Sequence, residues 1–493
     1  MVRYNLEYIK NENERNEVRK YFKNYYRSEA LKVMYVDNGI ILPRKEADKV
    51  LYPNTWMGLG GVLDNYGNFI KMSGIKALYS DDLAFGGKYN YTSIQECSEM
   101  VLYMGVFQPQ WGHFLEEYCT RLWFYLKNEV SCKIAYCGFN CKQGDISGSF
   151  EDFFTYLGIK KEQLIDIRKP TRFKKIIIPE QSFLRLQYYT DDYKNIINTV
   201  YKNGVKNKWI PYKNIYLSRV DFVNKNTPEK EHGEQEIQET FRKNGYQILE
   251  PEKLSVEEQM FYIRNCQVLV STLGSVSSNA VFASNEAKII YIRKGDSVVP
   301  ETFQIDQMIN VKDVTFIDCF FKPYRIFPFS YGSGPHFIGV TKEFKKFIKT
   351  NKMKLLNSHL YYYALMKNWI WITSKFGKTN LIKQIDTLNE YKIRKKINNI
   401  IKQGKTKFII YPYGRLGCKV KNILDEKIDV ICLCVDHYKF LENNDIYDID
   451  IFKNDEFSDY NVLICSDKKS SYHKEILEFV HCNVEEKKRI INI

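Results

Sequence analysis

The stretch Asn265–Phe282, NCQVLVSTLGSVSSNAVF, contains residue types that proteins use to hold phosphates. An apolar, β-branched segment leads into a glycine- and serine-rich turn, after which a new helix is expected to begin. Such a strand–turn–helix exposes backbone N–H groups and the positive end of a helix dipole, which favour anions. An ordinary strand–helix connection would look similar, so the rest of the chain must decide. The predicted contacts to phosphate or sugar are Gly274, Ser275, Ser277, Ser278 and Asn279.

A second candidate group lies in Trp111–Leu126, where apolar residues recur at helical spacing. His113, Glu116 and Glu117 are at positions i, i+3 and i+4, so they share one face of a helix. A histidine supported by a carboxylate can act as a general base toward a hydroxyl. We predict that His113 is the base, with either glutamate as the alternative. The competing interpretation is a solvated helix face or a half-buried histidine.

A third group combines an arginine with two acids. Arg219 ends a predicted strand at 214–219, and its planar guanidinium suits a diphosphate. Glu234 and Glu236 open the following helix, where they either form a salt bridge with Arg219 or bind ribose or sugar hydroxyls. We predict the diphosphate role for Arg219, and a carboxylate can orient it at the same time.

Alternating strands and helices must position these residues. Strand-like and helix-like segments alternate over 98–180, and the block 214–293 follows the order β-α-β-α-β-α-β. A capping box, Ser255 with Glu258, begins one of these helices. This order is typical of a doubly wound parallel sheet, in which ligands bind at the carboxyl ends of strands. The sequence therefore predicts two α/β units with a cleft between them and the Gly274 turn at its edge.

The C-terminal third differs from this pattern. Residues 342–405 are basic and helical in period and include the aromatic stretch Leu360–Ile372. We interpret them as a helical linker; the alternative is contact with an anionic membrane surface. From 407 a small Rossmann-like unit follows, with Gly414 and Gly417 in its first turn and Asp436 after its second strand. The turn lacks the regular third glycine of a dinucleotide site, so an accessory domain is favoured there.

Composition excludes several classes of protein. The 493 residues allow two to four domains, and the net charge of +14 suits anionic partners without choosing among them. No module that interleaves basic and aromatic residues for nucleic acid is visible, so no nucleic-acid partner is predicted. The charged N-terminus is not a signal peptide, and no run reaches the roughly 18 apolar residues of a membrane span. We predict a cytoplasmic protein, either soluble or peripheral at the inner face of the membrane.

The twelve cysteines are scattered singly among apolar neighbours, which indicates reduced, buried thiols. The closest group is Cys132, Cys137 and Cys141. A zinc site would need a second pair at suitable spacing, and none is visible. The sequence therefore predicts no metal site.

The block 214–293 resembles glycosyltransferase family 61. It contains Ser218-Arg219, GEQE at 233–236, PEKLSVEEQ at 251–259 and GSVSSNAVF at 274–282, in the family's order and spacing. The segment WGHFLEEYCTRLW at 111–123 is similar to the family's His-Phe-Leu helix, so the resemblance covers roughly 98–335. Two positions depart from the family pattern. Leu273 replaces a frequent histidine, which removes a side chain that could donate a hydrogen bond to a phosphate. Gly233 replaces a frequent asparagine, which leaves open whether Glu234 or Glu236 is the matching carboxylate.

The resemblance implies a GT-B glycosyltransferase, with two Rossmann-like domains facing across a cleft and the small C-terminal unit added. The domains expected are an acceptor half at 1–205, a nucleotide-sugar half at 206–340, a basic and aromatic linker at 341–405 and the Rossmann-like α/β domain at 406–493. The implied chemistry is inverting transfer from a nucleotide sugar, usually a UDP-sugar, without an obligatory metal or a cofactor. The single Asp-x-Asp, Asp448–Asp450, lies in the C-terminal unit, far in sequence from the Gly274 turn.

The expected acceptor is a hydroxyl of a bacterial surface glycan, from capsule or lipopolysaccharide, with a lipid-linked glycan as one version. Two alternatives remain at this point. One is a nucleotide-dependent oxidoreductase or sugar-modifying enzyme that uses the turn at 408–436. The other is a non-catalytic basic scaffold.

Overall fold

The computed structural model describes most of the chain as two compact units, Met1–Asn368 and Trp369–Ile493. The residues described are 2–47, 54–78, 82–128, 132–139, 146–227, 230–321, 336–356, 392–425, 427, 430–437, 439, 445–466, 472–484 and 489–493. The elements given below are those of these residues. The aromatic stretch Leu360–Ile372 and Cys141 lie outside them.

The first sheet of the N-terminal unit is mixed and has seven strands. Its centre is the strand Gln95–Phe107, whose second half is completely buried, and parallel neighbours flank it. Antiparallel strands extend one edge. In order across the sheet the strands are Leu59–Leu63, Ile40–Lys45, Thr171–Pro179, Gln95–Phe107, Lys133–Gly138 and Leu164–Asp166, with Val33–Asp37 also paired to Thr171–Pro179.

The second sheet is parallel throughout its six strands. In order they are Arg3–Tyr8, Asp313–Asp318, Lys288–Arg293, Val268–Thr272, Asn214–Leu217 and Gln247–Leu249. When the five strands within 214–318 are numbered along the chain from Asn214–Leu217, their order across the sheet is 2-1-3-4-5, which is a doubly wound order. The order reverses between Asn214–Leu217 and Val268–Thr272, and such a switch point opens a crevice at the carboxyl ends of its two strands.

Helices cover both sheets, and their ends follow local signals. Ser255 and Glu258 form the predicted capping box, and Gly245, at φ 80°, follows the helix that ends at Lys243. The α-helices are Glu12–Arg19, Trp111–His113, Trp123–Asn128, Ser149–Tyr156, Asp191–Gly204, Val220–Asn226, Glu234–Lys243, Val256–Asn265, Glu301–Met308 and Lys342–Thr350. Short 3-10 helices are Lys71–Ser73, Cys119–Arg121, Lys161–Gln163, Pro251–Lys253 and Ser277–Phe282, and Phe114–Tyr118 is π-helical.

One apolar core contains side chains from both sheets, including Val101 and Ile134 of the first and Ile215 and Leu269 of the second. At Gly204 the absence of a side chain allows a close approach, because a Cβ there would lie 2.7 Å from a methyl carbon of Met260. The packing makes the N-terminal unit a continuous body. Three small sheets complete it: Ile75–Lys76 with Leu83–Phe85, Phe183–Leu184 with Tyr188–Tyr189, and Glu231–His232 with His336–Ile338 and Phe320–Phe321.

The C-terminal unit contains a five-stranded parallel sheet. Across the sheet its strands are Ile446–Tyr447, Ile431–Val435, Lys407–Tyr411, Asn461–Ile464 and Ile490–Asn492, the order 3-2-1-4-5 of Rossmann-type folds. The helix Arg415–Asp425 follows the first strand and His473–Asn483 follows the fourth. Residues 392–402 are also helical, and Ile449–Lys453 and Asp455–Phe457 are 3-10 helices.

The predicted α/β class is confirmed, as are the strands and helices of the block 214–293, with two corrections of detail. The helix expected at Ser277 is a six-residue 3-10 helix, and the helix expected over Trp111–Leu126 changes type along its length. The GT-B arrangement and the domain boundaries stay predictions. Among the residues described, no helix is both long enough and apolar enough to cross a membrane.

Candidate active site

Arg219 and Gly274 lie at the switch point of the second sheet. Leu217 pairs with Ser271 on the neighbouring strand, so the segments that follow both residues leave the sheet at the same edge. Gly274 has a φ of 134°, a conformation that an L-residue rarely adopts. The turn is closed by Ser277, whose Oγ donates to the Gly274 carbonyl at 2.7 Å. The two residues that the sequence selected for a ligand therefore lie at one edge of the sheet.

The segment after Gly274 packs directly against the helix that contains His113. The Trp111 indole N–H donates to Oδ1 of Asn279 at 2.7 Å, and Oγ of Ser278 donates to Oε1 of Glu116 at 2.7 Å. A Cβ on Gly112 would lie only 3.1 Å from Cα of Ser275. Two groups that the sequence predicted independently, and that lie 162 residues apart, are therefore in contact.

These contacts change what the side chains of the turn can do. Ser277, Ser278 and Asn279 are buried, with exposures of 2%, 3% and 2%. Ser277 is bonded to the turn itself, while Ser278 and Asn279 hold the His113 helix. Gly274 and Ser275 are partly exposed. The donor-binding role stays a prediction for all five residues, and the backbone of Gly274 is already engaged, since its N–H donates to Oγ of Ser277 at 3.2 Å and its carbonyl accepts from Ser277.

His113 and Glu117 form a hydrogen-bonded pair, with 2.5 Å between Nδ1 and Oε2. Glu117 is buried; burial would raise its pKa, but the charges of Arg185 and His113 outweigh this and lower it to about 2. Because the carboxylate is ionised at neutral pH, it accepts from Nδ1–H and leaves Nε2 as the basic nitrogen. Burial would lower the pKa of His113, but the Glu117 charge and hydrogen bond raise it overall. The arrangement matches a histidine oriented by a carboxylate for proton transfer.

Arg185 holds the carboxylates behind His113. Its Nη1 donates to Oε1 of Glu117 at 2.9 Å, and its Nε and Nη2 contact Glu301. Glu116 is also close, with 3.7 Å between its Oε2 and Arg185 Nε. Burial and the charge of Glu301 raise the pKa of Glu116 to about 7. Glu116 thus lies between the Gly274 turn and the arginine, whereas Glu117 contacts the histidine.

A second charged cluster surrounds Arg219. Its Nη1 lies 3.4 Å from Oε1 of Glu231, and the buried Lys294 donates to the same oxygen at 2.5 Å. Burial would raise the pKa of Glu231, but Lys294 and Arg219 lower it to about 2. Arg219 keeps 20% of its side chain exposed. The predicted salt bridge of Arg219 to Glu234 or Glu236 is therefore made to Glu231 instead.

Glu234 and Glu236 lie behind this cluster, at the start of the helix Glu234–Lys243. Oε1 of Glu234 accepts from the Tyr216 hydroxyl at 3.0 Å and from the backbone N–H of Arg219 at 3.3 Å. Burial raises the pKa of both glutamates to about 7, with the charge of Glu231 adding to the effect on Glu234. Among the described groups, Oε2 of each is buried without a hydrogen-bond partner, and so are the hydroxyls of Ser271 and Thr272. A water or a polar ligand would satisfy such buried oxygens.

Sequence reasoning missed four residues of these clusters: Arg185, Glu231, Lys294 and Glu301. Lys294 directly follows the strand Lys288–Arg293, so the rule that selected Arg219 could also have selected it. Arg185 lies in an irregular segment and Glu301 begins a distant helix, and no periodicity marks either of them. In the part of the chain that the structure describes, no group of three or more His, Cys, Asp and Glu side chains could hold a metal ion.

One known protein family matches the part of the chain that contains these clusters. Residues 111–290 match the family model described as Glycosyltransferase 61. The matched segment contains the His113 helix, Arg185, Arg219 and the Gly274 turn. The chain is therefore a glycosyltransferase, an enzyme that moves a sugar from a donor to a glycan acceptor. More narrowly, this segment is similar to glycosyltransferase family 61, as the motifs predicted. No curated protein matches the chain.

Proposed function

We propose that the enzyme transfers a sugar, with inversion at the anomeric carbon, from a nucleotide sugar to a glycan hydroxyl. The observation that carries the proposal is the contact between the His113 helix and the Gly274 turn. It brings a base oriented by a carboxylate beside the switch point of a doubly wound sheet, which is where nucleotides bind in such folds. A donor at that edge would present its reacting carbon toward the histidine.

His113 supplies the base in this proposal. Nε2 takes the proton of the acceptor hydroxyl as the oxygen attacks the anomeric carbon, and the bond from that carbon to the diphosphate breaks. Nδ1–H stays bonded to Glu117, which stabilises the imidazolium that forms. Arg185 fixes Glu117 from the other side, so the ring keeps one orientation. A single displacement of this kind inverts the anomeric configuration.

Arg219 supplies the positive charge for the leaving group. The diphosphate gains negative charge as the bond breaks, and a guanidinium placed beforehand stabilises that charge. Glu231 and Lys294 hold Arg219 at the strand end. The same cation supports the metal-independent chemistry that the family resemblance implies. Oε2 of Glu234 and Oε2 of Glu236 are then candidates to accept from ribose or sugar hydroxyls.

The wider setting of the reaction belongs to the same proposal. The donor is a UDP-sugar, and the acceptor is a surface glycan of capsule or lipopolysaccharide type, in a lipid-linked form. The enzyme acts in the cytoplasm as a GT-B transferase in peripheral contact with an anionic membrane. The net charge of +14 and the many basic residues of 392–405 support that contact.

Replacement of His113 tests the proposal. We expect His113→Ala to lower turnover, measured as release of UDP from a panel of UDP-sugars, by about 10²–10⁴, the usual contribution of a general base. UDP affinity, measured by calorimetry, should stay nearly unchanged, because Nε2 acts on the acceptor. The control is His481→Ala, which changes an exposed histidine of the C-terminal unit. Near-full turnover in His113→Ala would remove it as the base, and a retained anomeric configuration in the product would exclude the inverting mechanism.

A further inference from the structure

Trp56 presents an exposed indole beside His113. Its exposure is 53%, and the centroids of the two rings are 5.7 Å apart with 53° between their planes. The imidazole is less open, with 18% of its side chain exposed. Single exposed apolar side chains are common on protein surfaces and need no function. Trp56 differs because its ring contacts the group that would receive the acceptor's proton.

The backbone around Trp56 is fixed, although the ring is open. The next residue, Met57, is fully buried; its N–H donates to the Ala84 carbonyl at 2.8 Å, and its own carbonyl accepts from Nε of Arg44 at 2.8 Å. Gly58 follows with a φ of 101°, and a Cβ there would collide with the carbonyl oxygen of Lys45. These contacts hold the turn in one conformation. Less of the backbone after Trp56 must therefore be ordered when a ligand binds to the indole.

The chemistry of the acceptor fits this surface. A pyranose ring has one face lined by C–H groups, while its hydroxyls project around the rim. A flat, apolar indole can cover such a face and leave the rim hydroxyls free, since tryptophan combines a large apolar area with few rotatable bonds. A sugar that lies on Trp56 would have a hydroxyl within reach of the neighbouring imidazole.

We propose that Trp56 is the platform on which a sugar ring of the glycan acceptor stacks, with the reacting hydroxyl turned toward His113. The inference rests on the proposed function, because it takes His113 as the base. It adds a binding site to that function: an acceptor subsite for a saccharide ring, formed by the turn before the strand Leu59–Leu63. Trp56 contributes to binding of the acceptor and takes no part in proton transfer.

Binding to an array of immobilised mono- and oligosaccharides tests the platform without knowledge of the natural acceptor. We expect Trp56→Ala in the full chain to weaken binding to the glycans that the wild type recognises by about tenfold, which corresponds to about 1.4 kcal/mol. Trp56→Phe should lose less, because a smaller ring still covers part of the sugar. Tyr66→Ala is the matched control, since Tyr66 is also an exposed aromatic residue of the N-terminal segment, at 84% exposure.

Donor measurements separate this inference from the proposed function. UDP affinity in Trp56→Ala should equal that of the wild type, while the KM for any glycan acceptor found on the array rises. Unchanged glycan binding in Trp56→Ala would overturn the platform, and so would a wild-type protein that binds no saccharide on the array. Full turnover in His113→Ala would instead refute the base, and the array result for Trp56 would still stand by itself.

Discussion

Replacing Glu117 by glutamine removes one charge from behind the proposed base and leaves its shape almost unchanged. Glutamine can still accept from Nδ1–H of His113 through its amide oxygen, but its NH2 then faces Nη1 of Arg185, so the hydrogen bond from Arg185 is lost. Arg185 keeps its contacts with Glu301 and its proximity to Glu116, so the buried guanidinium does not lose all of its partners. We therefore expect Glu117→Gln to fold and to change mainly the electrostatics of the imidazole.

The size of the effect follows from the burial of the pair. The Glu117 charge and hydrogen bond hold the pKa of His113 above its ordinary value, against burial and the charge of Arg185. A hydrogen bond to a charged group contributes about 1.5–3 kcal/mol, so the pKa of His113 should fall when the Glu117 charge is removed. The wild type loses activity as pH falls through the raised pKa of His113, because the base becomes protonated. In Glu117→Gln this acid limb should lie at lower pH.

The maximal rate should also fall, because a base of lower pKa accepts a proton less readily. We expect a loss of roughly tenfold at neutral pH, which is smaller than the loss of about 10²–10⁴ for removing the base entirely. The assays are the pH profile of UDP release and a titration of the imidazole by NMR, with the His113 signal assigned from His113→Ala. Glu99→Gln, at a half-exposed salt bridge with Lys133, is the control.

The two assays can refute different parts of the reasoning. An unchanged imidazole pKa in Glu117→Gln would show that Glu117 does not set the protonation of His113. A lowered imidazole pKa with an unmoved acid limb would show that the pair exists but that His113 is not the base. A loss of rate as large as that of His113→Ala would make Glu117 the base instead.

Two further predictions concern the second sheet. Arg219→Ala should weaken UDP binding about 10- to 150-fold, because one charge-assisted contact to phosphate is lost. The control is Arg242→Ala, which changes an exposed arginine and should leave UDP binding unchanged. If calorimetry gives the same UDP affinity for the wild type and Arg219→Ala, the role of Arg219 is structural. Asp306 is completely buried, and burial raises its pKa well above the ordinary value, so the folded protein favours the protonated carboxyl. The contribution of Asp306 to stability is therefore fully present below the unfolded pKa of about 3.9 and is lost as pH rises and the carboxyl ionises. Asp306→Asn should therefore gain stability relative to the wild type between pH 5 and pH 8 in denaturant unfolding, and a difference independent of pH would contradict this sign.

Local features of the sequence were sufficient to predict the strands and helices of the block 214–293 and the edge of the sheet at which Arg219 and Gly274 lie. Strand and helix periods, the capping box at Ser255 and the glycines at helix ends act over a few residues, so they can be read in order along the chain. The parallel order of the block 214–293 then places Arg219 and Gly274 at carboxyl ends of strands. The motifs around them were specific enough to indicate the family.

Tertiary structure decided which of these residues meet, and which of their atoms remain free. Ser278 and Asn279 look like ligand contacts in the sequence, but in the fold their side chains hold the His113 helix. The partner of Arg219 is Glu231 rather than either predicted glutamate. The strand Arg3–Tyr8 joins the second sheet by pairing with Asp313–Asp318, a strand that begins 310 residues later in the chain.

The physical reason is that burial and charge pairing act through space. Glu116 and Glu117 are adjacent in the chain, yet one has a pKa of about 7 and the other of about 2, because Arg185 and His113 contact only the second closely. Nothing in the spacing of His113, Glu116 and Glu117 could separate their roles, since all three share one helix face. The sequence determined that a histidine and two acids would lie together, and the packing of Arg185 and Ser278 against them determined which acid contacts the histidine.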